Sequence, residues 1–121
     1  MKLQVETRLS DQLERFLDLT VSAAKLTAAN MANIDTPRYQ TLGMDFAAEM
    51  GDAMARMDAG AAARPVHIQT VEGLIARPDG NNVSMDREGL QLAEEQLKFK
   101  TGATLMRLEN QRVLDAIHAD K

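Results

Sequence analysis

The feature that most constrains this fold is a proline that follows directly after a long run of helix-forming residues. Residues 9–33 contain neither proline nor glycine, and alanine, leucine and other strong helix formers dominate them. Pro37 lacks an amide hydrogen and disfavours helical geometry at Thr36, so the helix has to end just before it. The sequence therefore predicts a helix over 9–33, about 38 Å long at ~1.5 Å per residue, with Ser10 as its N-cap.

A second helical segment lies at the other end of the chain. Residues 84–119 contain no proline, and Ser84 is a suitable N-cap, so we expect a helix roughly 54 Å long. Gly89 and Gly102 each lower its stability by about 1 kcal/mol relative to alanine. Either a close helix contact offsets this cost or the glycines are simply tolerated at exposed positions.

The apolar residues of both segments recur at helical spacing. Residues 9–33 carry two adjacent apolar stripes, and 84–119 carries a heptad seam with polar interruptions at Gln96 and Asn110. The apolar seam consists of Leu92, Phe99, Ala103, Met106, Val113 and Ile117. Because both helices are apolar on more than one side, we expect further copies or partners to pack against them.

The middle of the chain, 34–83, has a different character. All three prolines and five of the seven glycines lie in it, so we expect irregular structure with short helical or extended pieces. The predicted fold class is mainly α: two long terminal helices form an antiparallel, coiled-coil-like pair, and the irregular middle joins them. Residues 1–121 are expected to form a single elongated unit.

Several classes of function have no support in the sequence. There is no cysteine, no Ser-His-Asp order, no phosphate loop and no HExxH, so we expect no enzyme, cofactor or metal site. A net charge of −4 without a Lys/Arg cluster argues against a nucleic-acid partner. We expect no membrane span and no cleaved signal peptide, because no apolar run approaches ~20 residues and the N-terminus lacks a signal-type apolar core.

Two motifs resemble one known family. "AANMANIDTPRYQ" is similar to the N-terminal signature of the flagellar rod and hook proteins, and "RPDGNNVSMDREGLQLAEEQLKFKTGATLM" resembles their second signature and long helix. The pairing of these two motifs with a short middle is similar to the family's proximal rod members, whereas residues 47–75 carry no recognisable signature and are short for the family. The first motif contributes Asn30, Asn33, Asp35, Thr36, Pro37 and Tyr39, and the second contributes Asp79, Gly80 and Asn81. Ser84 departs from the second motif, where Asp is usual, but both residues cap helices well.

Arg38 departs from the family pattern, because most members have glycine there. Either this backbone does not need a positive φ at that position, or the arginine makes a charged contact that its relatives lack. Asn30 and Asn33 are expected at a subunit interface or, alternatively, in local helix termination. Tyr39 either joins that interface or packs on its own helix pair. The Asp79–Asn81 turn and Ser84 are expected to lead into and cap the second helix.

The resemblance implies a structural role. It implies export through the flagellar type III apparatus without a cleaved signal, and helical assembly in the periplasmic rod of the flagellar basal body. It further implies a link between the rotor ring and the distal rod and hook, with torque transmitted for motility. The implied partners are copies of the chain, other rod proteins, the ring-junction protein and export-gate components. The alternative reading is a soluble helical-hairpin adaptor or chaperone-like protein in the cytoplasm.

Overall fold

The computed structural model describes residues 6–119, which form three helices and a two-stranded sheet. Their order is α1 (Arg8–Ala32), β1 (Leu42–Gly43), α2 (Phe46–Asp58), β2 (Gln69–Thr70) and α3 (Met85–His118). The strands are antiparallel, with Leu42 opposite Thr70. The predicted fold class is confirmed: two long terminal helices pack together, and the middle holds one short helix and short extended pieces.

Helix α1 begins one turn earlier than Ser10, the predicted N-cap, would place it. Thr7 is the N-cap: its hydroxyl accepts a hydrogen bond from the Ser10 amide at 3.0 Å, and the Ser10 hydroxyl accepts one from the Thr7 amide at 2.8 Å. This reciprocal capping box satisfies two amide groups that the first turn leaves without helical partners. The prediction of Ser10 as N-cap was therefore wrong, because it is the third residue of the helix and the second half of the box.

Helices α1 and α3 are antiparallel and meet through polar side chains. The buried residues of α3 are Glu88, Glu95, Gly102 and Glu109, spaced by seven, so they form one face. The hydroxyl of Thr7 donates to Glu109 at 2.9 Å, that of Thr27 donates to Glu95, and the Asn30 amide donates to Glu88 at 3.1 Å. The α1-side partners run from Thr7 to Asn30 while their α3 partners run from Glu109 back to Glu88, so the two helices are antiparallel.

The two glycines of α3 have different environments. A Cβ at Gly102 would lie 2.8 Å from Cδ2 of Leu17 and 3.0 Å from Cδ1 of Phe16, whereas a Cβ at Gly89 would meet nothing within 4 Å. Gly102 therefore permits close approach of the two long helices. Gly89 is a tolerated exposed glycine, so each explanation offered by the sequence applies to one of the two positions.

Helix α2 makes the middle of the chain more regular than the sequence suggested. Asp45 caps it by accepting the Ala48 amide, and the Phe46 ring packs edge-on against Phe16 of α1 with centroids 5.5 Å apart. The Lys98 ammonium lies 3.9 Å from the centroid of the same Phe46 ring. Through these two contacts Phe46 connects the middle segment to both long helices.

The interior is small and largely polar. In the described part of the chain, four apolar residues are buried (Leu13, Leu19, Ala53 and Val83), against eleven polar or charged ones. Large leucines of α3 remain outside, with Leu90 74% exposed and Leu97 66% exposed. Hydrogen bonds thus hold the helix pair in register, while much of its apolar surface faces outward. No helix between residues 6 and 119 is long and apolar enough to cross a bilayer.

Candidate functional site

The two sequence motifs meet at one end of the helix pair, in a region we call the joint (residues 30–42 and 77–88). Asn30, in the last turn of α1, is its most connected residue and is 1% exposed. Its side-chain amide donates to the Leu42 carbonyl at 2.8 Å and to Glu88 at 3.1 Å. Its side-chain oxygen accepts from the Leu42 amide at 2.9 Å. One asparagine therefore connects the end of α1, strand β1 and the first turns of α3.

Tyr39 completes the Asn30 cluster. Its hydroxyl donates to Oδ1 of Asn30 at 3.0 Å. Burial, together with the nearby Glu88 carboxylate, raises the pKa of Tyr39, so the phenol remains a neutral hydrogen-bond donor. These contacts correspond to the second of the two interpretations of Tyr39, in which it packs on its own helix pair. A role of Tyr39 at a subunit interface stays a prediction.

Asn81 links the second motif to the first and is fully buried. Its amide nitrogen donates to the carbonyls of Asn33 and Thr36, both at 2.8 Å, and its side-chain oxygen accepts the Val83 amide at 2.8 Å. The carbonyls near the end of a helix have no partners within it. Asn81 satisfies two carbonyls of the turn that follows α1, and it does so from a distant part of the chain.

Asn82 connects the second motif to residues 40 and 41, which precede strand β1. Its side-chain oxygen accepts from both the amide and the hydroxyl of Thr41, at 2.7 and 2.8 Å, and its amide donates to Gln40 at 2.9 Å. Thr41 is fully buried and Asn82 nearly so. The dipeptide Asn81-Asn82 therefore holds the backbone from residue 33 to residue 41.

Arg38 adopts a positive φ of 64°. Its amide donates to the Asp79 carbonyl at 2.9 Å, and Gly80, with φ 86°, lies against it so closely that a Cβ there would be 3.2 Å from Cγ of Arg38. The first of the two explanations for Arg38 was therefore wrong: this backbone keeps the geometry that favours glycine. Over the described residues, its guanidinium forms no ion pair with this chain.

Arg77 and Ser84 complete the joint. Arg77 donates to the carbonyls of Ile34 and Val83, and so holds the segment after α1 against the segment before α3. Ser84 is the N-cap of α3, and its hydroxyl accepts the Arg87 amide at 3.3 Å. The Asp79 carboxylate accepts the Asn81 amide at 3.0 Å, forming the turn that precedes the cap.

The joint has the properties of a rigid corner. Throughout residues 6–119, every buried side-chain nitrogen or oxygen has a hydrogen-bond partner. The directional bonds of a network satisfied in this way set one angle between the elements that it joins. The joint therefore fixes the orientation of the segment that follows α1 relative to that helix.

Comparisons with known proteins identify the family. No family model matches this chain. It is 36% identical to the flagellar basal body rod protein FlgB of Salmonella typhimurium over an alignment that covers 74% of this chain and 78% of that protein. This chain belongs to the FlgB family. Its identity to FlgB of Yersinia ruckeri is 31%, covering 74% and 79% of the two chains, and to FlgB of Escherichia coli 29%, covering 69% and 74%.

In this FlgB-family chain the predicted interface residues of the first motif divide by exposure. Asn30 is enclosed by the chain's own groups, and Asn33 is the C-cap of α1, with its side-chain amide donating to the Ala29 carbonyl at 2.8 Å. Asp35, Thr36 and Pro37 are exposed. A subunit contact through this motif stays a prediction, and these three exposed residues, with the partly exposed Asn33 and Tyr39, are available for it.

The predicted seam of α3 flanks the face that meets α1. Phe99 is 47% exposed and Ile117 is 42% exposed, while Leu92, Ala103, Met106 and Val113 are partly exposed. These residues therefore retain apolar surface beyond the contact with α1. Their role at a subunit interface stays a prediction.

The glutamates facing α1 were not recognised in the sequence as part of a helix contact. Glu95 lies at the centre of that contact, and burial raises its pKa. The hydrogen bonds of Arg112, followed by that of Thr7, lower the pKa of Glu109. The available signal was the spacing: Glu88, Glu95 and Glu109 are separated by multiples of seven, which places carboxylates on one face of a long helix.

Proposed function

We propose that this chain is a structural subunit of the flagellar basal-body rod. Membership of the FlgB family carries the proposal, since the relatives are named as basal-body rod proteins. The structure supports it: the buried polar side chains between the two long helices are hydrogen-bonded, and several leucines of α3 are exposed. Exposed leucines do not stabilise an isolated chain, whereas their burial against neighbouring subunits is favourable in free energy.

The proposed mechanism is mechanical. The joint fixes the direction in which the chain leaves α1, and the polar contacts between α1 and α3 fix the register of the pair. Neighbouring subunits then cover the apolar outer faces, and close packing of these faces makes the assembly stiff. In this proposal the seam residues Leu92, Phe99, Ala103, Met106, Val113 and Ile117, together with the exposed part of the first motif, lie in contacts between subunits.

Further aspects of the proposal follow from the resemblance of the motifs. We place the subunit in the periplasmic rod, reached by type III export without a cleaved signal. Its neighbours are further copies, other rod proteins, the ring-junction protein and export-gate components. The rod built in this way links the rotor ring to the distal rod and hook and transmits torque.

Deletion of the gene tests the proposed function. The deletion strain is expected to be non-motile, and its isolated basal bodies are expected to lack a rod beyond the rotor ring in electron micrographs. Complementation with the wild-type gene should restore both, and a Gly89→Ala copy is a suitable control because that site is open and outside the contacts described. A deletion strain that still builds full-length rods contradicts the proposal.

Hydrogen exchange of the purified protein separates the rod subunit from the adaptor alternative. A rod subunit is expected to be monomeric, with faster amide exchange over 9–33 and 90–118 in the purified protein than in isolated basal bodies, because its apolar faces lack their partners. A stable dimer with slow exchange over both helices would instead favour a soluble adaptor.

A further inference from the structure

The three glutamates of α3 that face α1 differ in how their charge is compensated. Glu88 is fully buried, and the guanidinium of Arg87 donates to its Oε1 at 2.6 Å. Glu109 is also buried, and the guanidinium of Arg112 donates to both of its carboxyl oxygens, at 2.7 and 3.0 Å. Glu95 is only 5% exposed, yet it forms no ion pair with any described residue of the chain. Of the three, Glu95 is therefore the carboxyl group that is buried without a cation beside it.

The contact between Glu95 and Thr27 has more acceptor oxygens than one hydroxyl hydrogen can serve. Both carboxyl oxygens of Glu95 lie within hydrogen-bond distance of Oγ1 of Thr27, with Oε2 at 2.9 Å. The Ala23 carbonyl oxygen lies 3.2 Å from the same Oγ1. A threonine hydroxyl carries one hydrogen and two acceptor lone pairs, whereas a protonated carboxyl adds a second hydrogen. A protonated Glu95 donates to Thr27 through one oxygen and accepts from Thr27 through the other, so both contacts become hydrogen bonds.

Burial favours the same protonation state. A carboxylate that leaves water without a compensating cation loses much of its solvation, and the neutral acid avoids this cost. Burial raises the pKa of Glu95 by more than the hydrogen bond from Thr27 lowers it, and the nearby Glu88 carboxylate raises it further. The geometry of the Thr27 contact and the surroundings of Glu95 therefore favour the same neutral form.

Charged side chains surround Glu95 at a greater distance. On α3, the carboxylates of Glu88 and Glu94 raise its pKa, and the ammonium of Lys98 lowers it. Glu95 also lines two cavities, of about 610 and 450 Å³. The other charged residues that line these cavities are Lys25 of α1, Arg87 and Lys100 of α3, and Asp45 and Glu72 of the middle segment. None of the four cations lies within ion-pair distance of Glu95, so none compensates its charge directly.

From these contacts we infer that Glu95 and Thr27 form a pH-sensitive switch between α1 and α3, in which the helix pair closes on a neutral glutamic acid. When the pair closes, the Glu95 carboxylate takes one proton from water and exchanges hydrogen bonds with the Thr27 hydroxyl. When the pair opens, the carboxyl group returns to water and releases that proton. This switch lies within one chain and goes beyond the proposed function, so failure of either leaves the other standing.

The sign of the pH dependence follows from this proton uptake. Because the folded chain binds the proton more tightly than the unfolded chain, the contribution of Glu95 to stability is highest at or below the unfolded pKa. It falls as the pH rises through the folded-state pKa. Glu109 has the opposite behaviour, since the hydrogen bonds of Arg112 and Thr7 lower its pKa and its ionised form stabilises the fold. The two glutamates therefore serve as a test residue and a matched control on the same helix face.

Carbon-13 NMR of the side-chain carboxyl carbons detects the proton directly in the wild-type protein, with signals assigned through the backbone. In a pH titration, the Glu95 signal is expected to change at a higher pH than that of glutamate in a short unstructured peptide in the same buffers. The Glu109 signal is expected to change at a lower pH than the peptide. A Glu95 signal that titrates together with the peptide, or below it, overturns the inference.

Urea unfolding as a function of pH tests the coupling of the proton to the helix pair. Glutamine keeps the shape of the neutral acid, and its amide group can both donate to Thr27 and accept from it. The ratio of the unfolding equilibrium constants of wild type and Glu95→Gln is expected to rise by up to tenfold per pH unit above about pH 4.5. The corresponding ratio for Glu109→Gln is expected to stay constant between about pH 5 and pH 7. A constant ratio for Glu95→Gln over that range contradicts the switch.

Discussion

Replacing Gly102 by alanine tests whether the two long helices approach as closely as the structure shows. In an open helix, alanine is favoured over glycine by about 1 kcal/mol. At Gly102 the added Cβ would lie 2.8 Å from Leu17 and 3.0 Å from Phe16, so side chains or backbone have to move. Overpacking of a tight contact typically costs about 1–3 kcal/mol, so the net change expected is a loss of about 0–2 kcal/mol.

Gly89→Ala is the matched control, because it lies in the same helix and its Cβ would meet nothing within 4 Å. It is expected to raise the free energy of unfolding by about 1 kcal/mol. Urea unfolding of both variants, followed by circular dichroism at 222 nm, is expected to separate them by about 1–3 kcal/mol. Equal stabilisation by the two substitutions would refute the close packing inferred at Gly102.

Three further substitutions test the joint and the polar face of α3 by urea unfolding. Arg38→Gly is expected to exceed Arg38→Ala in stability by about 1 kcal/mol, because glycine tolerates the positive φ; equal stabilities would count against the turn geometry. Tyr39→Phe removes the hydroxyl that donates to Asn30, and a loss of about 1 kcal/mol is expected; an unchanged midpoint would argue against that bond. Glu95→Gln is expected to be stabilising at pH 7. Burial raises the folded-state pKa of Glu95, so its ionisation opposes folding at neutral pH, and this penalty disappears as the pH falls to the unfolded pKa. The advantage of the glutamine should therefore vanish near pH 4, and a pH-independent difference would contradict this account.

The termination of α1 and the cap of α3 could be predicted from local residues. Pro37 and the adjacent polar residues forbid continuation of the helix regardless of tertiary context, and Ser84 precedes an uninterrupted helical segment. The bonds of Asn30 and Asn81 depend on residues 58 and 48 positions away, respectively. Sequence spacing gave no account of those pairs, because asparagine serves equally well in a local turn.

The face of α3 that meets α1 was the main feature that the apolar pattern did not reveal. Glutamate is normally assigned to solvent, so an apolar seam through Leu92 and Phe99 was the natural reading. The helices instead bury Glu88, Glu95 and Glu109. Asn30, Thr27 and the N-cap residue Thr7, respectively, donate hydrogen bonds to them, because each donor lies opposite its glutamate along the helix pair. Only the pairing of the two helices makes those carboxylates compatible with burial.

Gly102 has a consequence for how the helix pair responds to load along its axis. It interrupts a series in which Glu88, Glu95 and Glu109 otherwise recur at multiples of seven residues. If α3 slid past α1 by one heptad in either direction, Glu95 or Glu109 would take the place of Gly102 against Phe16 and Leu17. A carboxylate there would meet apolar side chains instead of its hydroxyl partner, at a cost of several kcal/mol. The pair therefore has a single stable register and resists longitudinal shear by excluding the neighbouring ones.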